Sequence, residues 1–215
     1  MSFINFARKE IAFKLVYYGP ALCGKTTNLE EIHAAVAPDL RGDLTMLSTR
    51  QDRTLFFDFL PLKSDIIKGF TSKFQLYTVP GQAIYNETRK LVLRNVDGIV
   101  FVADSQWEKM EENAQSFRNM QDNLAEHKMS LDDIPYMLQF NKRDLPTAAP
   151  VHYIDFMLNN GTTRVPYVES VAKEGVGVFE TLNLLSRMVL AAFMKANNMP
   201  APSLPDEIAV STSGG

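Results

Sequence analysis

The sequence predicts an α/β fold: a mostly parallel central sheet with helices on both faces. Three observations carry that prediction. Short apolar runs alternate with longer helix-patterned stretches along most of the chain. The runs are hydrophobic almost without interruption, as strands are when both sheet faces are covered. A glycine-bearing turn also joins the first run directly to the first helical stretch.

Taken in order, residues 11–18 (IAFKLVYY) form the first strand and 27–37 the helix that follows the turn. Residues 45–60 are less regular, and the aromatic run at 55–59 marks a strand entered from the polar loop QDRT. A strand over 73–79 stops at Pro80-Gly81 and leads into a helix over 85–94. The strand over 98–103 is followed by a helix over 106–127, whose mixed charges from Glu108 onward mark a solvated face. Strands over 136–140 and 166–169 flank a helix over 151–159. The last helix spans 178–197, with Leu182, Leu185, Met188, Val189 and Ala192 at three- and four-residue spacing. One domain over residues 1–195 accounts for all of these elements. The remainder, 196–215, combines three prolines with serines and glycines and reads as a flexible tail.

Bulk composition excludes several function classes. The chain has 215 residues, 46% hydrophobic and 22% charged, which is enough for one sizeable core. Its net charge of −3 gives no basic surface for nucleic acid. The single cysteine, Cys23, leaves no intramolecular disulfide and fits a reducing compartment. The N-terminal residues lack the apolar core of a secretory signal, and the longest apolar runs fall far short of the ~20 residues a membrane span needs. Ser2 follows Met1 and the chain ends in STSGG, so neither myristoylation nor prenylation is encoded. These features predict a cytoplasmic protein without its own membrane anchor, and they leave the oligomeric state open.

Gly19-Pro-Ala-Leu-Cys-Gly24-Lys25-Thr26 satisfies G-x-x-x-x-G-K-[ST] between a strand and a helix. Glycines let the backbone curl so that successive N–H groups face inward, and the helix N-terminus adds its dipole, so Gly19, Ala21, Leu22, Cys23, Gly24 and Thr27 belong to a phosphate cradle. Lys25 would reach the β/γ oxygens and Thr26 would ligate Mg²⁺. Phe140-Asn141-Lys142-Arg143-Asp144 follows a later strand. Asp144 can accept from the ring N–H and exocyclic amine of guanine, a donor pair that adenine lacks. Asn141 can bridge the loops around the base, and the Lys142 stem can cover its face. In Val79-Pro80-Gly81-Gln82, the Gly81 N–H can meet a γ-phosphate and Gln82 can orient a water. In the QDRT loop, Thr54 can complete the Mg²⁺ ligands and Arg53 can neutralise charge on the transferred phosphoryl group.

These motifs, with DRTLFFDFLPL, LYTVPGQ, VDGIVFVADSQ and GVGVFETL, resemble a Ras-superfamily small GTPase of the bacterial MglA type, over residues 2 to about 195. The resemblance implies the P-loop GTPase fold and a Mg²⁺-dependent GTP/GDP switch of cell polarity and motility, with slow intrinsic hydrolysis. It implies a Roadblock-fold activating partner related to MglB, polarity effectors bound in the GTP state, and recruitment to a cell pole by partners. It implies that Arg53 is supplied in cis and that the partner acts by ordering Arg53 and Gln82. By the same resemblance, Ser170-Val171-Ala172-Lys173 is the loop whose backbone N–H meets the guanine carbonyl; Ala172 is the candidate donor and Val171 lies beside it.

Two departures stand out. Many small GTPases carry an aspartate where this chain has Thr78; Asp58 is one substitute, and a core-facing turn or an exposed carboxylate are its other readings. Ala21 replaces the usual glycine, and its methyl near the γ-phosphate predicts slowed or altered hydrolysis with nucleotide binding retained. Cys23 reads as a small packed residue, with a thiol made reactive by the loop's electropositive field as its other reading. Trp107 reads as half-buried packing. Two other functions are compatible with the motifs: a nucleotide-binding scaffold with negligible hydrolysis, and a P-loop ATPase or kinase.

Overall fold

The computed structural model describes residues 3–5, 9–46, 58–67, 70–161 and 163–199. At its centre is β2 (Glu10–Tyr18), a run of β-branched, aromatic and aliphatic residues flanked in parallel by β5 (Phe70–Thr78) and β6 (Gly98–Asp104). Beyond β6, β7 (Tyr136–Asn141) and β8 (Tyr167–Glu169) continue the parallel ladder. The other edge is antiparallel: β4 (Asp58–Ile67) pairs with β5, and the two-residue β3 (Thr45–Met46) pairs with β4. A short β1 (Phe3–Asn5) pairs antiparallel with the start of β2.

Residues 55–57 of the predicted strand lie outside the described residues, and from Asp58 onward the strand runs to Ile67. Its central Pro61 and its polar Lys63-Ser64-Asp65 stretch disguise it in the sequence. Proline is tolerated because its ring nitrogen has no ladder bond to make beyond the short β3, while its carbonyl accepts from the Gly42 N–H at 2.9 Å.

Successive side chains of β2 point to opposite faces and divide the core in two. Ile11, Phe13, Leu15 and Tyr17 join one cluster with α1 (Lys25–Ala35) and α5 (Val178–Ala196). Val16 and Tyr18 join the other with α2 (Asn86–Leu93), α3 (Met110–Glu126) and α4 (Val151–Leu158). Phe13 stacks on Phe74 at 5.5 Å and meets Phe193 edge-on at 5.3 Å, so truncating it to alanine costs on the order of 3–5 kcal/mol. On α5, Leu182, Leu185 and Val189 are buried, and the apolar stripe continues through Leu190, Phe193 and Met194. Met188 and Ala192 instead line an 820 Å³ groove beside Ile134 and Tyr136, at the N-terminal end of β7. Trp107 is 49% exposed and packs on Tyr153 at 4.8 Å. No helix among the described residues is long and apolar enough to cross a membrane.

The C-terminal ends of β2, β5, β6, β7 and β8 lie along one edge of the sheet. The loops that leave them, at 19–24, 79–82, 105–106, 142–144 and 170–171, carry most of the predicted site residues. In open α/β sheets, that edge is where ligands bind.

Candidate functional site

The phosphate loop follows β2 and ends at Gly24, whose φ of +106° opens α1. A Cβ at Gly24 would lie 2.1 Å from Asn141 Nδ2, so glycine is required both by conformation and by space. Lys25 is buried, and its ammonium donates to the carbonyls of Gly19 at 3.0 Å and Pro20 at 2.6 Å and lies 3.6 Å from Cys23 Sγ. Burial lowers its pKa, with the neighbouring Cys23 opposing that shift. Burial also pushes the Cys23 thiol up, and the Lys25 ammonium only partly offsets this. Cys23 is thus the small packed residue expected, and the reactive-thiol alternative is removed: the side chain has lost the water that would stabilise a thiolate. Leu22, at φ +60°, projects outward from the loop.

Asn141, at the end of β7, connects three loops. Its Nδ2 donates to the Cys23 carbonyl at 2.8 Å, and its Oδ1 accepts from the Ala172 N–H at 2.9 Å and the Ser170 hydroxyl at 3.1 Å. The bridging role expected of Asn141 is thus present, with the Ala172 N–H turned to Asn141 rather than to the open cavity. Next along the chain, Lys142 has φ +65° and pairs at 2.6 Å with the fully buried Asp104. Asp104 in turn accepts from the Gln106 N–H at 3.1 Å, while Asn113 holds its backbone N–H at 3.0 Å and its carbonyl at 2.8 Å. Asp144 pairs with Lys173 at 2.6 Å, and that hydrogen bond holds its carboxyl below the usual carboxylate range. Asn141, Lys142, Asp144, Ala172 and Lys173, with Leu22, Gly24, Thr27 and Val171, line a cavity of 380 Å³.

At the opposite end of the phosphate loop, Thr26 Oγ1 donates to Asp58 Oδ2 at 2.6 Å. The Thr78 hydroxyl donates to the same carboxylate oxygen at 2.8 Å and accepts from the Asp58 N–H at 2.9 Å. Asp58 is fully buried at the start of β4, which removes the exposed-carboxylate reading. An acidic oxygen and a hydroxyl, side by side at a helix start, are the hard donors that Mg²⁺ takes. Arg53 and Thr54 lie outside the described residues.

The Pro80-Gly81-Gln82 turn leaves β5 and passes directly over Ala21: a Cβ on Gly81 would lie 2.3 Å from the Ala21 Cα. Buried Arg89 of α2 holds this turn, donating to the Pro80 carbonyl at 2.8 Å and also to the Gly81 carbonyl. It donates further to Asn119 Oδ1 at 2.7 Å, an atom that also accepts from the Tyr18 hydroxyl. Gln82 itself is exposed. Pro20, Ala21, Gly81 and Arg89 share a 250 Å³ cleft with Ser116 and Asn119 of α3.

The structure therefore brings the phosphate-loop residues, Gly81, Asn141, Lys142, Asp144, Val171 and Ala172 to one edge. Sequence reasoning missed Asp104, Arg89 and Lys173: Lys142 meets Asp104 across 38 residues, Lys173 meets Asp144 across 29, and Arg89 reaches Asn119 across 30 as well as the nearby Pro80 and Gly81. Only the Asp104-Ser105 pair ending an apolar run offered a local sign, a charged residue where burial was expected.

Comparison with known proteins extends this picture. The sequence profile of the Ras family matches residues 45–191, a span that begins after the phosphate loop. The mutual gliding-motility protein MglA of Myxococcus xanthus (strain DK1622) is 53% identical over 195 residues, which cover 91% of this chain and 99% of that protein.

Proposed function

The chain belongs to the Ras family and is a GTP-hydrolysing enzyme, and from this premise we propose that it is a Mg²⁺-dependent GTP/GDP switch of cell polarity and motility. The observation that carries the guanine reading is Asn141, which ties the phosphate loop at Cys23 to the 170–172 loop beside Asp144. Phosphate chain and base then lie on one ligand, held at both ends.

In this reading, backbone N–H groups of residues 21–27 hold the phosphates, and Lys25 exchanges its carbonyl partners for phosphate oxygens. That exchange replaces neutral acceptors with charged ones and strengthens each hydrogen bond. Asp144 accepts from guanine, while the Lys142 stem lines the base cavity with its ammonium anchored by Asp104. Thr26 and Thr54 would ligate Mg²⁺, with Asp58 beside them in place of the aspartate absent at Thr78. When bound, Mg²⁺ neutralises charge on the phosphate oxygens. Gln82 orients the attacking water and Arg53 offsets charge on the transferred group. The turn carrying Gln82 is anchored at Arg89, so its position is set from α2 and α3.

A switch works through loops that the γ-phosphate holds and hydrolysis releases. Residues 41–58 and 80–94 fill that role. A Roadblock-fold partner of the MglB type would accelerate the reaction by ordering them, and polarity effectors would bind the GTP state. The protein would reside in the cytoplasm, be recruited to a cell pole by these partners, and consist of one domain over 1–195 followed by a tail.

The test uses the full chain with Mg²⁺. Phosphate release from GTP is followed over hours, with and without a Roadblock-fold partner, alongside competition by GDP and ADP. Slow release, faster with the partner, and a strong preference for GDP are expected. Equal competition by ADP would overturn the guanine reading, and release indistinguishable from buffer would leave a scaffold.

A further inference from the structure

Beneath the phosphate loop lies a second tie that the mechanism above does not use. Gln139 of β7 points into the otherwise apolar core between β7, α1 and α5, on the same face as Asn141 two residues later. It forms a reciprocal amide pair with Asn28 of α1: Asn28 Nδ2 donates to Gln139 Oε1 at 2.9 Å, and Gln139 Nε2 donates to Asn28 Oδ1 at 2.9 Å. The second Asn28 N–H donates to the Gly24 carbonyl at 2.9 Å. The second Gln139 N–H donates to Thr181 Oγ1 at 2.9 Å, and that hydroxyl donates to the Gly177 carbonyl at 2.7 Å. Asn28, Gln139 and Thr181 are all fully buried.

The polarity of this chain is determined at its ends. A carbonyl accepts and cannot donate, so Gly24 fixes which way the Asn28 amide faces, and that fixes Gln139. The chain runs from the residue that opens α1 to the residue that opens α5. One end is the phosphate loop, and the other follows directly on the 172–174 turn beside the base cavity. The peptides are trans, so a held carbonyl sets the opposite direction of the next N–H. Asn141 on the Cys23 carbonyl thus aims the Gly24 N–H, and Asn28 on the Gly24 carbonyl helps to aim the Lys25 N–H.

We propose that Gln139, with Asn28 and Thr181, is a positioning chain for nucleotide binding: it touches no ligand but fixes the phosphate-binding N–H groups relative to the base-binding turn. This rests on the guanine-nucleotide reading above. Packing alone is the competing account, because a buried amide in an apolar core also fills space. The two accounts separate when polar contacts are removed and volume is kept. Breaking the pair from one side leaves buried polar atoms unpartnered, a penalty large enough to shift an equilibrium about tenfold to hundredfold. Replacing both amides with leucine removes that penalty and restores an apolar core, but it does not restore the tie.

The experiment follows release of a fluorescent GDP from the loaded full chain into excess GDP, with urea unfolding of each variant measured in parallel. Gln139→Leu is expected to release GDP about tenfold to hundredfold faster. The double variant Asn28→Leu/Gln139→Leu is expected to unfold near the parent midpoint while release stays fast. Thr181→Val keeps its shape and its place in the fold, and is expected to speed release about threefold to tenfold. Parental release rates in Gln139→Leu or Thr181→Val, or slow release regained by the double variant, would overturn the proposal. Should Gln139→Leu fail to fold, Thr181→Val decides. A parent chain that binds no GDP would refute the guanine reading and this proposal with it, whereas a parent that binds GDP with parental release in the variants would refute this proposal alone.

Discussion

Replacing Asp58 with asparagine isolates the charge at the metal corner. The side chain keeps its volume and can still accept from the Thr26 and Thr78 hydroxyls, which lie at 2.6 and 2.8 Å from one carboxylate oxygen. Hydrogen bonds to a charged acceptor contribute ~1.5–3 kcal/mol, against ~0.5–1.5 kcal/mol for a neutral one. Two such bonds therefore lose about 2 kcal/mol between them, a factor of roughly thirty. Folding stability changes less, because Asp58 is fully buried and the variant no longer buries a charge. The deficit is expected instead in Mg²⁺ affinity, where loss of an outer partner costs about 10–100-fold. The assay is GDP release against buffered free Mg²⁺. Its midpoint is expected to move to about tenfold to hundredfold higher Mg²⁺, with release in chelator unchanged. Thr78→Val, which removes the hydroxyl that holds Asp58, should shift the midpoint in the same direction by less. Superposable Mg²⁺ curves for the parent and Asp58→Asn would refute the reasoning and leave Asp58 as a structural link between β4 and β5.

Three further outcomes are expected. Ala21→Gly removes a methyl from the loop residue that Gly81 passes over and should raise single-turnover hydrolysis roughly fivefold, on the order of 1 kcal/mol of barrier, with GDP release unchanged; equal rates for parent and variant, measured both with and without an activating partner, would sink this. Arg89→Met takes the donors from the Pro80 and Gly81 carbonyls. It should cost ~1–3 kcal/mol in urea unfolding and speed amide exchange over residues 81–85, and unchanged exchange would rule out the clamp. Lys173→Met should return the Asp144 carboxyl toward its ordinary value of 3.8, read from a carbon NMR titration. The sign follows from the depressed pKa: the ion pair contributes above pH 3.8 and is lost as pH falls through the lowered value, so the variant should lose that acid-side dependence.

By itself the sequence determined what depends on neighbours along the chain. Gly19 to Thr26 is a phosphate loop because glycine spacing and a following helix are local facts, and Asn141 to Asp144 announce a base site for the same reason. The five parallel strands were legible because burial on both faces leaves a continuous apolar run, and each appears within a few residues of its predicted bounds. Strand β4 was legible only at its start, residues 58–59, because its Pro61 and polar second half have strand character only once β5 supplies the ladder. Tertiary structure alone decided which distant atoms meet. Thr26, Asp58 and Thr78 share one carboxylate oxygen although they are 32 and 20 residues apart along the chain. Asn28 and Gln139 pair across 111 residues, and Lys142 finds Asp104 across 38. Strand register sets these distances, and no local pattern encodes register between strands so far apart. Burial likewise decided between the two readings of Cys23: exclusion of water around the folded thiol raises its pKa and outweighs the pull of the neighbouring Lys25 ammonium.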